Sequence, residues 1–187
     1  MLLLAGCTGG EPEPEESELP LPASVTASAS PSASVSPEPS EEAEAEGPER
    51  PAAMDKKDAD GAAAAAEYFL SLYDYMLTTG DSSRFESMSH RACGFCTATL
   101  DRLDWLEEND ATFTGGAMTT TIEESYEIDA ATGIFPLDVV IEQESIEILD
   151  ADGTSIDEVD HSTREARIEM ALRDKKWVVV TVTHRPE

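Results

Sequence analysis

From Gly61 onward apolar residues return every three or four positions: Ala62, Ala65, Ala66, Phe69, Leu70, Tyr73, Met76 and Leu77. This i, i+3, i+4, i+7 spacing predicts one amphipathic helix of about five turns. Asp58 and Asp60 supply start signals, and Thr79-Gly80 ends it, because glycine takes the left-handed C-terminal conformation without steric cost. Asp81 and Ser82 then form an N-cap for a short helix, Ser83 to Met88, carrying Phe85. A third helix is predicted from about Phe95 to Glu108, burying Leu100, Leu103 and Leu106.

After Gly115-Gly116 the period falls to two. Met118, Thr120, Ile122, Tyr126 and Ile128 make one strand face, and Ile134 to Leu149 reads as a long second strand. Its apolar phase slips near Val139-Val140, which predicts a β-bulge there. Asp150 to Gly153 is a turn, followed by an acidic loop to Asp160. Ala166, Ile168, Met170 and Leu172 alternate with charged residues, and Asp174-Lys175-Lys176 turns the chain into a last strand, Trp177 to Val182. The expected fold class is α+β: three N-terminal helices packed on a bent four-stranded antiparallel sheet.

Composition sets the limits of this domain. Nine of the eleven prolines precede Ala52, whereas every Trp, Tyr, Phe and His follows it. The leading segment lacks the apolar side chains that offset the entropy of ordering a chain, so residues 8–57 are expected to be a disordered Pro/Glu/Ser/Ala-rich tether and 58–187 the globular domain. Proline and like charges favour extension; at roughly 3.1 Å per residue, ~50 residues reach up to about 150 Å.

Residues 1–7 end in Leu4-Ala5-Gly6-Cys7, which matches the lipobox of bacterial lipoprotein signal peptides. Small residues give a peptidase access to the backbone, and the Cys7 thiol accepts the lipid. Cys7 is therefore the expected lipidation site, and the chain is expected at the cell membrane, lipid-anchored on its extracytoplasmic face. Two acyl chains suffice for stable anchoring. The preceding segment lacks the basic region and the apolar stretch of about 7–15 residues that a complete signal carries, as expected if it is a remnant and the true start lies upstream. The alternative is a cytosolic amino terminus that happens to spell this motif.

Ala65-Ala66-Glu67-Tyr68-Phe69, Tyr73, Thr79-Gly80-Asp81 and Cys93-x-x-Cys96, together with the lipobox and tether, resemble a family of actinobacterial lipoproteins of unknown function. The order of helices and strands resembles the nuclear-transport-factor-2-like, or cystatin-like, fold. That resemblance implies a cone of strands enclosing a cavity, with Tyr73, Trp105 and Tyr126 as expected lining residues. It supplies no catalytic residues.

Cys93-Gly94-Phe95-Cys96 has the spelling of a thioredoxin-like redox pair but lies between two helices instead of inside a βαβ unit. Outside the cell two such cysteines are expected to form a structural disulfide. A redox-active pair and a metal site built from His90, Cys93 and Cys96 are the alternatives, the latter short of a fourth ligand. Asp150, Asp152, Asp157, Glu158 and Asp160 carry oxygen ligands of the kind calcium prefers, without the EF-hand order. His161 and His184 flank strands and read as surface residues. Gln143 and Glu124 interrupt apolar faces and are the positions to watch for cavity chemistry.

The formal charge of −28 opposes nucleic-acid and other polyanionic partners. No catalytic residue, metal or cofactor is assigned. The expected function is a tethered, non-catalytic binding or interaction module of the cell envelope, meeting an envelope protein, a wall component or a small apolar ligand. The alternatives are a cavity-bearing enzyme of the isomerase or dehydratase type and a thiol-disulfide protein.

Overall fold

The computed structural model describes residues 47–185. The lipobox with Cys7 and the expected tether as far as residue 46 lie outside the described residues. The packed structure begins before the expected boundary at Asp58. A 3-10 helix, Ala52–Asp55, follows Pro51 and buries Met54 in the core, where the Met54 carbonyl accepts a hydrogen bond from Trp177 Nε1 at 2.9 Å. One methionine in a polar stretch was too weak a signal to separate residues 47–57 from the tether.

Among the described residues three α helices come next. Helix α1, Ala59–Thr79, starts where the Asp58 side chain accepts from Gly61 N at 3.1 Å and ends at Gly80. It is apolar on most of its circumference, as a helix enclosed by other elements must be. Helix α2, Ser83–Met88, turns Phe85 inward to stack on Phe69, with ring centroids 4.4 Å apart. Helix α3, Gly94–Glu108, buries Cys96, Thr99, Leu103 and Leu106.

Among the described residues seven strands form two antiparallel sheets instead of one. The larger has the order β2-β3-β6-β7, with β2 Met118–Ser125, β3 Ile134–Gln143, β6 Ser162–Arg173 and β7 Lys176–His184. The smaller has the order β1-β4-β5, with β1 Thr112–Gly115, β4 Ile146–Leu149 and β5 Ser155–Val159. Phe135, Leu137, Val139 and Ile141 of β3 meet Ile168 and Met170 of β6 and Val179 of β7 in one core with Phe69, Leu70, Leu72 and Met76 of α1. Side chains fill the inside of the sheet where a cavity was expected. Each of these fully buried residues contributes about 1.5–3 kcal/mol of transfer free energy.

The second strand expected from Ile134 to Leu149 is in fact two. Residues 135, 137, 139 and 141 hold one unbroken inward phase, so there is no bulge in β3 at Val139-Val140. The phase changes at Glu144-Ser145, where the chain passes from the larger sheet into the smaller. Irregularities do occur in β2, between Ile122 and Glu124, and in the β6–β7 pairing beside Glu169. Tyr126 and Ile128 therefore lie beyond β2, and Ile128 is exposed.

The chain crosses between the sheets three times, at β1–β2, β3–β4 and β5–β6, and the first two crossings run side by side. Gly116 N donates to Ser145 O and Glu144 N to Ala117 O, both at 3.0 Å, so the β1–β2 connection and the β3–β4 connection turn one corner together. Gly115 and Gly116 have φ of +74° and +80°, and a Cβ on Gly115 would lie 2.2 Å from Ser145 O. The corner admits no side chain at that position.

Candidate functional site

Helix α3 and the smaller sheet leave a groove of about 490 Å³ between them. Ala98, Asp101, Arg102 and Trp105 line it from the helix, Ile148 from β4, and Ile156 and Asp157 from β5. Trp105 is 43% exposed and Ile156 49%, whereas Ile148 is buried. Leaving each large side chain half in water forgoes about 1 kcal/mol of burial.

The placement of Ile156 has a local cause. Asp157 sits opposite Ile148 and Ser155 opposite Leu149, so Ile156 is an extra residue on β5, a bulge on the edge strand of its sheet. Bulges re-aim side chains, and this one sets the apolar Ile156 at the same groove as Trp105. The loop expected up to Asp160 is thus partly a strand. All five of its residues are exposed, so no apolar alternation marked it.

The three aromatic residues expected to line one cavity do not meet. Tyr73 is buried, its ring centroid 6.1 Å from Phe95 and 6.3 Å from Phe113. Trp105 lines the groove. Tyr126 lies by the opposite face of the larger sheet, where its hydroxyl donates to Glu124 at 2.8 Å or Asp138 at 2.9 Å. Arg167 holds Asp138 through two hydrogen bonds, Nε to Oδ1 at 2.7 Å and Nη2 to Oδ2 at 2.9 Å, and its guanidinium lies 5.4 Å from the Tyr126 ring centroid.

Electrostatics follows from this geometry. The Arg167 guanidinium holds the Asp138 carboxyl below its ordinary value. The hydrogen bonds to Glu124 and then Asp138 push the Tyr126 phenol up to about 12. Glu124 is therefore exposed and engaged by a phenol, and Asp138 is neutralised by a cation. Gln143 and Thr120 differ: they are diagonal neighbours on the inner face of β3 and β2, and Gln143 Nε2 and Thr120 Oγ1 are buried without a protein partner among the described residues. Asp74 on α1 is half-buried, and burial pushes its carboxyl up.

Cys93 and Cys96 are joined, with S–S 2.02 Å and Cα–Cα 5.2 Å. Cys93 is the N-cap of α3, its Sγ accepting from Cys96 N at 3.1 Å, and the residues are 0% and 1% exposed. In the disulfide neither sulfur is a thiolate, so the pair offers nothing to a metal beside His90, whose Nδ1 accepts from Ala92 N. Asp150 caps its own turn, accepting from Asp152 N and Thr154 N, and Asp157 and Glu158 belong to β5. Among the described residues no three His, Cys, Asp or Glu side chains group as metal ligands. His161 and His184 are exposed.

The sequence pattern did not reveal Ile156 or Arg167 as site residues. A lone isoleucine in an acidic stretch carries no period, and an arginine on an alternating strand reads as solvated surface until its cross-strand partner is known.

The chain is similar to the intermembrane space region of chloroplast protein ARC6, at 12% identity and TM-score 0.45, covering 65% of this chain and 95% of that one. It is also similar to an uncharacterised protein with a cystatin-like fold from Caulobacter vibrioides, at 12% identity and TM-score 0.38, covering 65% and 87%. A third similarity is to a putative calcium/calmodulin dependent protein kinase II association domain from Xanthomonas campestris, at 12% identity and TM-score 0.34, covering 67% and 89%. No curated protein matches the chain. Residues 31–183 match the family described as Family of unknown function (DUF6318), and the chain belongs to that family.

Proposed function

We propose that this protein is a lipoprotein held on the extracytoplasmic face of the cell membrane through Cys7, and that its domain works by binding an envelope protein or wall component, without catalysis. The observation that carries the binding role is the groove in which Trp105 and Ile156 stand half-exposed together. Large apolar side chains gathered at one concave place are the usual mark of a contact surface. The lipobox supports the anchor. The use of the strand carboxylates supports a non-catalytic role: Asp138 is tied to Arg167 and Glu124 accepts from a phenol, so neither is an isolated acid in an apolar pocket. The buried sulfurs weigh against a thiol-disulfide role, since exchange needs an accessible sulfur.

Two measurements test this reading. Cys7→Ser should move the protein from the membrane fraction to the soluble one; retention on membranes would count against the anchor. A photocrosslinking residue placed at Ile156 in intact cells should give a discrete adduct, sensitive to Trp105→Ala, that the same residue at Ala130 does not. Identical products from both positions would remove the groove as the binding surface.

A further inference from the structure

A second concave site is independent of the groove. Met54, Tyr68, Met88 and Trp177 form part of a pocket of about 280 Å³, and each is less than one tenth exposed. Arg50, Arg84, Lys175 and Lys176 also line it. The whole chain has 12 Lys and Arg against 40 Asp and Glu. Four of those cations share one small pocket, and no acidic residue lines it among the described residues. A solvated surface of this composition would place carboxylates there.

Each cation's surroundings bear on its availability. Arg50 pairs with Asp55 at 2.9 Å, and Arg84 Nη1 donates to Pro48 O at 3.0 Å. Glu49 and Asp81 line the adjoining hollow with Arg50 and Arg84. Lys175 and Lys176 are exposed and make no ion pair among the described residues. Lys175 and Lys176 therefore supply the available charge at the pocket, and charges beyond about 10 Å are screened at ordinary salt.

Backbone conformation adds a second, separate observation. Asp174 and Lys175 occupy the two-residue turn between β6 and β7 with φ of 50° and 65°. Such turns favour Asn or Asp followed by Gly, because both residues need positive φ. Aspartate tolerates that region; lysine does so at a cost. Strained backbone held by a chemically active side chain is a feature of binding sites.

We propose that this pocket binds a small organic anion, a phosphate or carboxylate carried on an apolar body. The apolar residues take the body and the Lys and Arg side chains take the charge. An apolar cavity of about 150 Å³ accommodates benzene, so the volume here suits a ring with an anionic substituent. The anion can be a free metabolite or the headgroup of an anionic lipid; the chemistry recognised is the same.

The test uses the full-length chain with Cys7→Ser for solubility and Trp105→Phe, which leaves Trp177 as its single tryptophan. Titration with phenyl phosphate should change Trp177 emission saturably, and benzyl alcohol, which is neutral, should not. Lys175→Gln with Lys176→Gln should weaken phenyl phosphate at least about tenfold, as expected on removing charge-assisted contacts. Lys175→Gly should weaken it too while raising the melting temperature, because the turn is relieved; this separates binding from folding. Co-sedimentation with phosphatidylglycerol vesicles that phosphatidylcholine does not reproduce, lost in the double variant, would assign the anion to a lipid headgroup; phenyl phosphate binding alone would assign it to a soluble molecule. Unchanged affinity in the double variant, an equal response to benzyl alcohol, or no response to phenyl phosphate or anionic vesicles would overturn the proposal.

Discussion

Arg167 and Asp138 face each other directly across β6 and β3, joined by two hydrogen bonds of 2.7 and 2.9 Å, with the Asp138 side chain 9% exposed. Two-point contact between guanidinium and carboxylate fixes both groups and strengthens the pair. Asp138→Asn keeps the shape but removes the charge, and should lower stability to urea by about 2 kcal/mol. A loss under about 0.5 kcal/mol would place the pair among ordinary surface bridges. Because the folded carboxyl sits below its ordinary value, its stabilisation is present above the unfolded value of about 3.9 and is lost as pH falls through the lower folded value. The Asn variant should therefore lose less stability than the native chain between pH ~4 and the acid transition.

Tyr126 gives the opposite sign at the other end of the scale. Its phenol is pushed up to about 12, so the stabilisation it lends is present below the unfolded value of about 10 and is lost as pH rises through the folded value. Phenolate absorbance should show a phase near pH 12 that Tyr126→Phe removes. Loss of an earlier phase would show that the hydroxyl does not donate to Glu124 and Asp138.

Replacing Cys93 and Cys96 together by Ser removes a four-residue closed loop and leaves hydroxyls where sulfur was buried. Extrapolated loop entropy gives about 2 kcal/mol, and the fold should survive. Burial also predicts kinetics: a mild dithiol should reduce the native bond slowly and the urea-unfolded bond at once. Rapid reduction of the native protein, followed by thiol labelling, would revive a redox role.

Residues 47–57 belong to the packed domain, and their removal tests this. A chain starting at residue 58 loses the Met54 side chain from the core and the carbonyl that accepts from Trp177 Nε1. Met54→Ala alone should cost about 2–4 kcal/mol, and the truncation at least as much, with Trp177 emission shifted to the red. Equal stability of chains starting at 47 and 58 would restore the boundary at Asp58.

The helices were legible because their apolar period is long and unbroken: α1 repeats from Ala62 to Leu77, and Gly80 closes it. The inner face of β3 was legible for the same reason. The smaller sheet was not. Strand β1 has a single buried residue, Phe113, and β5 has none. In sequence the slip reads at the apolar pair Val139-Val140, whereas the chain changes sheets at Glu144-Ser145, a polar dipeptide whose spelling is the same whether a strand bulges or changes sheets. Of the residues expected to line a cone cavity, Trp105 instead lines the groove outside it, and Tyr73 went to the core among Phe95 and Phe113. Ile156 required the β4–β5 register, which only pairing reveals. The rim of Lys175 and Lys176 passed as an ordinary hairpin turn, because charge in a turn is expected and converging cations are visible only in three dimensions.

The shared corner at Gly116 and Ser145 limits how the groove is shaped. Two polypeptide runs, cross-linked by reciprocal amides, restrain the angle between the sheets more than a single-stranded hinge would. Under the binding role proposed above, a guest would be admitted by rotamer changes of Trp105 and Ile156 or by fraying of the short outer strand, with little change in the frame. Recognition in such a scaffold would be a matter of side-chain fit on a restrained frame.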